Sequence, residues 1–72
     1  MKPPNVSSRE CVRTLERAGY TVERIRGGHI RLRRGGQCVT VPHTRNLQKG
    51  TMAHILRVAG VRADEFERLR KG

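Results

Sequence analysis

In this 72-residue chain, the residues whose types and spacing could do chemistry are Gly27-Gly28-His29-Ile30-Arg31-Leu32 and, after a Gly-Gly turn, Val39-Thr40-Val41-Pro42-His43. A short glycine pair delivers a histidine to the start of a predicted strand. The next strand ends beside a second histidine and a run of Arg and Lys. Imidazole takes and gives a proton near neutral pH at its ordinary pKa, so the arrangement suits chemistry on a phosphodiester. Together the two histidine segments read as one site.

The charge balance points the same way. Sixteen Lys plus Arg against six Asp plus Glu give a formal charge of +10, so a polyanion is the natural partner. Arg outnumbers Lys thirteen to three, and guanidinium forks grip phosphate oxygens in a bidentate way that ammonium does not. Seventy-two residues make one small domain, residues 1–72, whose economical core leaves no room for a small-molecule cofactor. Cys11 and Cys38 occupy apolar-phase positions and read as buried free thiols rather than a disulfide. No CxxC or Cys-His spacing points to a metal site. No signal peptide or membrane-spanning run is visible, and the expectation is a cytoplasmic protein.

The elements that must position the histidines follow from periodicity. Residues 1–6 form a polar, proline-bearing lead-in, expected to be loosely ordered. Ser7 as N-cap with Glu10 three residues on predicts a capping box, and Val6 can staple onto Cys11. Cys11, Val12, Leu15 and Ala18 share one helical face, with Gly19 at the stop. Arg9, Arg13 and Arg17 recur on the outer face as a solvated stripe. From Tyr20 the period changes to that of a strand reaching about Ile25, with Tyr20 and Val22 on one side and Thr21 and Glu23 on the other. Ile30 and Leu32 alternate with His29, Arg31 and Arg33 in a second strand. Gly35-Gly36 turns into a third, Cys38–Val41, ended by Pro42.

A polar loop carrying His43, Arg45 and Lys49 precedes a second helix opening at Gly50-Thr51, with Met52, Ile55, Leu56 and Ala59 on its apolar face. A short third helix begins near Asp64, laced with opposite charges. His54, on the second helix, reads as incidental. The expected architecture is α+β: a three-stranded antiparallel sheet with both major helices on one face, leaving the other open.

These residues carry a family resemblance. The chain resembles the HicA-type toxins, small mRNA interferases of HicA/HicB toxin–antitoxin pairs. The resemblance rests on a short amphipathic helix ending in Gly19-Tyr20, Gly-Gly-His at 27–29, Val41-Pro42-His43, and Lys49-Gly50-Thr51-Met52 leading to Ile55-Leu56 and Ala59-Gly60-Val61. It implies a fold like a double-stranded RNA-binding domain, α-β-β-β-α, and ribonuclease activity without a metal. The family's catalytic histidine maps onto His29, and members often carry Ser where this chain has Gly28. A cognate HicB-type antitoxin, covering a basic, histidine-bearing face, is the implied protein partner.

RNA cuts itself once its 2′-hydroxyl is deprotonated in line with the adjacent phosphorus, so an enzyme need supply only proton transfer, positioning and charge neutralisation. In this reading His29 is the general base or acid, and Arg31, Arg33 or Lys49 stabilises the phosphorane. The helix start at Gly50 and Thr51 offers N–H donors to a phosphate. His43 and Arg45 add contacts, and Gly28 lets a phosphate approach the backbone. The main alternative is a non-catalytic RNA-binding module of the same fold, which needs no histidine. A DNA-binding regulator is a poorer match, since neither helix follows a helix-turn-helix turn.

Overall fold

Helix, three strands, helix, helix is the order found. In the computed structural model, which describes residues 6–72, the elements are α1 (Ser8–Arg17), β1 (Thr21–Arg26), β2 (His29–Arg34), β3 (Gln37–Pro42), α2 (Lys49–Ala59) and α3 (Ala63–Lys71). Residues 1–5 of the expected lead-in lie outside the described residues. Val6, expected to be loose, is instead buried and bridges to Leu47.

α1 starts where Ser7 predicts, its hydroxyl accepting the Glu10 N–H at 3.1 Å. The reciprocal half of the capping box is replaced: the Glu10 carboxylate accepts from Arg70 Nη1 at 2.9 Å. A charge-assisted bond to guanidinium is the stronger partner for a carboxylate. The helix stops at Gly19 (φ 104°). There the Gly19 and Tyr20 N–H groups return to the Glu16 and Leu15 carbonyls, both at 3.0 Å, the bond pair of a Schellman stop. A side chain at Gly19 would be strained by that φ, and its Cβ would also lie 3.2 Å from Arg34 Cδ. The same pair of bonds closes α2 at Gly60 and Val61.

The sheet order is β1-β2-β3, antiparallel throughout. Ile30 and Leu32 of β2 and Val39 and Val41 of β3 are buried. They meet Cys11 and Leu15 of α1 and Ile55 and Ala59 of α2 in one core. Burying each such Leu or Ile side chain is worth about 1.5–3 kcal/mol. With both major helices on that face, the residues of opposite phase, His29, Arg31, Arg33 and Thr40, are exposed. Cys38 shares the phase of Thr40, so it stands half-buried on this outer face rather than in the core; Cys11 is fully buried, and both thiols are free.

β1 departs from simple alternation. Val22 pairs with Leu32 but Arg24 pairs with Arg31, so a bulge at Glu23 sets two residues against one. The bulge resets the phase. Ile25 therefore falls on the helix side with Val22, where it is 68% exposed, and Arg24 and Arg26 join the open face.

α3 packs on α1 through buried Phe66 and two arginines. Arg17, expected to be solvated, donates to the Leu69 carbonyl at 2.7 Å. Arg70 bridges Glu67 at 2.8 Å and Glu10 at 2.9 Å. The charge-laced character expected of this helix is present, and part of it holds the helix in place.

Candidate nucleic-acid interface

His29 is the first residue of β2, delivered by a two-residue turn in which Gly27 has φ 57°. Positive φ at the first turn position fits a hairpin whose twist matches its strands, and glycine adopts it without strain. In the ladder His29 stands between Arg26 of β1 and Pro42 of β3. Its imidazole is exposed and makes no hydrogen bond among the described residues, so both ring nitrogens are open to a ligand.

Around it is an open hollow of about 300 Å³ lined by Arg24, Arg26, His29, Arg31 and Thr40. Three guanidiniums and an imidazole face one volume with no carboxylate in its walls. A second hollow of about 290 Å³ lies further along the sheet, lined by Glu23, Arg24, Arg31 and Arg33. Glu23 dominates it, accepting from Arg33 Nε at 2.8 Å and pairing with Arg31 Nε at 3.3 Å. The hydrogen bond from Arg33 holds the Glu23 carboxyl below the ordinary carboxylate range, with the positive charges of Arg33, Arg31 and Arg24 adding to it. The outer face is thus divided into a carboxylate-free half around His29 and a half shared with Glu23.

His43 is joined to this region through the main chain: its N–H donates to the Gly28 carbonyl at 2.7 Å. Its side chain opens elsewhere. It lines a groove of about 630 Å³ between α1 and the sheet, with Val12, Val22, Ile25 and Ile30 as apolar lining and Arg9 and Arg13 at its side. The two histidines expected to form one site therefore line different concavities. Alternation explains it: His43 continues the phase of Val39 and Val41, the buried side of β3, whereas His29 is out of phase with Ile30.

The other expected contacts are spread over the end of the sheet where β3 leads into α2. Gly28 is exposed, and a Cβ built on it meets nothing within 4 Å. Arg45 is exposed in the connecting loop, and Lys49 and Thr51 sit in the first turn of α2. That helix has no side-chain cap at Gln48 and no acidic residue in its first turn. None of Arg45, Lys49 or Thr51 lines the His29 hollow. His54 is exposed on α2, away from both concavities.

Two residues of the hollow, Arg24 and Arg26, were not singled out from sequence. The available signal was Ile25, which stands three residues from Val22 and so demands a phase change if both are to face the helices.

An α+β unit with one sheet face packed by helices and the other presenting a histidine among arginines defines a class of small basic proteins suited to a polyanion. A family model, the HicA toxin of bacterial toxin–antitoxin systems, matches residues 8–61. The chain belongs to the HicA toxin family. No curated protein matches it. The matched span runs from the first residue of α1 to just past the stop of α2 and contains His29, His43 and the whole sheet. No helix among the described residues is long and apolar enough to cross a membrane.

Proposed function

We propose that this toxin is an endoribonuclease that cuts messenger RNA, with His29 as its general acid or base. One observation carries the reading: an exposed imidazole, without a hydrogen bond among the described residues, in a hollow lined by Arg24, Arg26 and Arg31 and by no carboxylate of those residues. A phosphodiester drawn there by the guanidiniums lies beside an imidazole, a side chain suited to general acid–base chemistry.

The chemistry needs little more. The 2′-oxygen forms a bond to phosphorus as its proton leaves, the P–O5′ bond breaks, and the departing 5′-oxygen takes up a proton. The products are a 2′,3′-cyclic phosphate and a 5′-hydroxyl. The nucleophile belongs to the substrate, so the protein's part is alignment, one proton transfer by His29 and stabilisation of the dianionic phosphorane by guanidinium. Water or the phosphate itself serves the other proton transfer. Gly28 borders the site through its backbone, and Arg31 and Arg33, with Arg45, Lys49 and Thr51 beyond the hollow, extend the phosphate-binding surface.

The partner in this reading is a HicB-type antitoxin whose acidic surface covers the basic face and hides His29 from RNA. Charge complementarity suits both fast association and inhibition.

The test is incubation of the purified protein and of His29→Ala with a defined single-stranded RNA in EDTA, mapping the cut ends. Cleavage by the wild type alone, leaving a cyclic phosphate, is the expected result. Binding without cleavage by either protein would assign the chain to the non-catalytic RNA-binding alternative.

A further inference from the structure

We infer that Arg24 and Arg26, turned onto the open face by the β1 bulge, form the principal phosphate subsite beside His29, with Arg31 and Arg33 secondary because Glu23 holds both. The inference rests on the RNA-directed reading above and names which side chains of that site hold the strand.

Three observations combine. The first is register: with Arg24 opposite Arg31 and Arg26 opposite His29, the bulge sets two β1 guanidiniums on the histidine's face. Unbroken alternation from Val22 would turn both toward the helices. The second is occupancy. Neither Arg24 nor Arg26 has an ion-pair or hydrogen-bond partner for its side chain among the described residues, whereas Arg33 donates its Nε–H to Glu23 and Arg31 forms an ion pair with the same carboxylate.

The third is the sign of the local field. A phosphate approaching Arg33 meets the Glu23 carboxylate in the same hollow, and the arginines around Glu23 keep it ionised. The hollow between Arg24, Arg26 and Thr40 has no carboxylate in its lining, and although Arg24 also borders the Glu23 hollow it makes no ion pair with that carboxylate. Two charges of like sign at close range repel, and in a shallow site open to water this decides between neighbouring positions rather than excluding either. The ligand class is the backbone of single-stranded RNA: a negative charge at each nucleotide, held on a flat open sheet with no aromatic side chain in the hollow to stack a base.

The decisive experiment measures binding of a labelled single-stranded RNA across a salt series, using His29→Ala as the parent so that the RNA stays intact. For single strands the slope of log K against log salt falls by about 0.7 for each phosphate that is no longer neutralised. Adding Arg24→Gln and Arg26→Gln together should flatten the slope by roughly 1.4 if each holds one phosphate, and the Lys pair at the same positions should restore it. Arg33→Gln should change the slope by less than half as much, and Glu23→Gln should tighten binding by freeing Arg31 and Arg33.

An unchanged slope in the Arg24/Arg26 double variant, with the parent still binding RNA, overturns the inference and leaves the RNA-directed reading standing. A parent that binds no RNA at any salt overturns both. A slope flattened in the Gln pair and not regained in a folded Lys pair also counts against it, since a phosphate contact needs charge before it needs the guanidinium shape. Circular dichroism of each variant establishes that it is folded.

Discussion

Arg34 lies over the ring of Tyr20, 4.7 Å from guanidinium carbon to ring centroid, and together the two side chains tie off the C-terminal ends of both major helices. Arg34 donates to the Ala18 carbonyl at 2.9 Å and to the Ala59 carbonyl at 3.3 Å, while the Tyr20 hydroxyl donates to the same Ala59 oxygen at 2.7 Å. A cation at the carbonyl ends of two helices also meets the negative ends of their dipoles. Tyr20→Phe should cost about 1 kcal/mol, roughly 4–8 °C in Tm for a domain of this size, and Arg34→Ala should cost more. Thermal melts test this, and an unchanged Tm for both variants would show that the tie carries no weight. RNA cleavage at permissive temperature should be unaffected, because Arg34 faces the helices.

That tie shows where the sequence was legible and where it was not. Local signals announced themselves: Ser7 with Glu10, the apolar stripe of Cys11 and Leu15, and glycines 19, 27, 35 and 60 at positive φ all specify structure within a few residues. Arg34 reads locally as part of the hairpin turn around Gly35-Gly36; its role depends on Ala18 and Ala59, which chain folding alone brings to it. The bulge at Glu23 leaves one trace in the sequence, the three-residue spacing of Val22 and Ile25, and after a single repeat of alternation that trace does not fix where the slip falls. His43 reads with His29 as one site because both segments adjoin Arg and Lys, although it continues the phase of Val41. His29 was legible because both its turn and its strand are short-range features.

The turn before His29 offers a graded test. Gly28 has no neighbour within 4 Å of a built Cβ and no positive φ, whereas Gly27 sits at φ 57°. Gly28→Ser should leave Tm within about 2 °C, since exposed changes away from strained positions are nearly neutral. Gly27→Ser should lower stability by about 1–2 kcal/mol, the cost of a left-handed conformation in a residue with a Cβ. Equal destabilisation by both would contradict the turn geometry. The hydroxyl that Gly28→Ser adds is one residue from the imidazole-bearing position, so cleavage by this variant should equal or exceed wild type.

Acid should weaken an ion pair within α3. The hydrogen bond from Arg70 holds the Glu67 carboxyl below its ordinary value of 4.5. A carboxyl whose folded pKa is depressed stabilises the fold above the unfolded value, and that contribution disappears as pH falls through the folded one. Tm should therefore decline below about pH 4.5. In Glu67→Gln the decline should be shallower, with a lower plateau at neutral pH. Superimposable Tm–pH curves for the two proteins would remove Arg70–Glu67 from the account.

The two thiols should separate cleanly by reactivity. Burial pushes the Cys11 thiol up to about 12, so it stays protonated and inaccessible in the folded state. Cys38 is only half-buried, on the open face. Brief alkylation with iodoacetamide at pH 8, mapped by mass spectrometry, should modify Cys38 first, and Cys11 only after denaturant is added. Prior modification of Cys11 in the native protein would mean that the contact of α1 with the sheet opens readily. Because the unfolded thiol ionises near 9 while the buried one resists, stability should also decline as pH rises from about 9 toward 12.

His43 offers the sharpest separation of backbone from side chain. Its N–H holds the Gly28 carbonyl at 2.7 Å, one residue from His29, while its imidazole lines the groove on the other side of the sheet. If the main-chain bond is what matters for catalysis, His43→Ala should retain cleavage within about threefold of wild type, a factor small beside the effect of a proton-transfer group. His29→Ala should lose at least about 100-fold, the lower end of what a general acid or base contributes. His43→Pro deletes the N–H that holds the Gly28 carbonyl, and should lower cleavage more than His43→Ala does. A loss in His43→Ala matching that of His29→Ala would instead require the groove-side imidazole to reach the scissile phosphate around the end of the sheet. The ordering of the three variants in one cleavage assay therefore decides whether His43 acts as scaffold or as a second proton-transfer group.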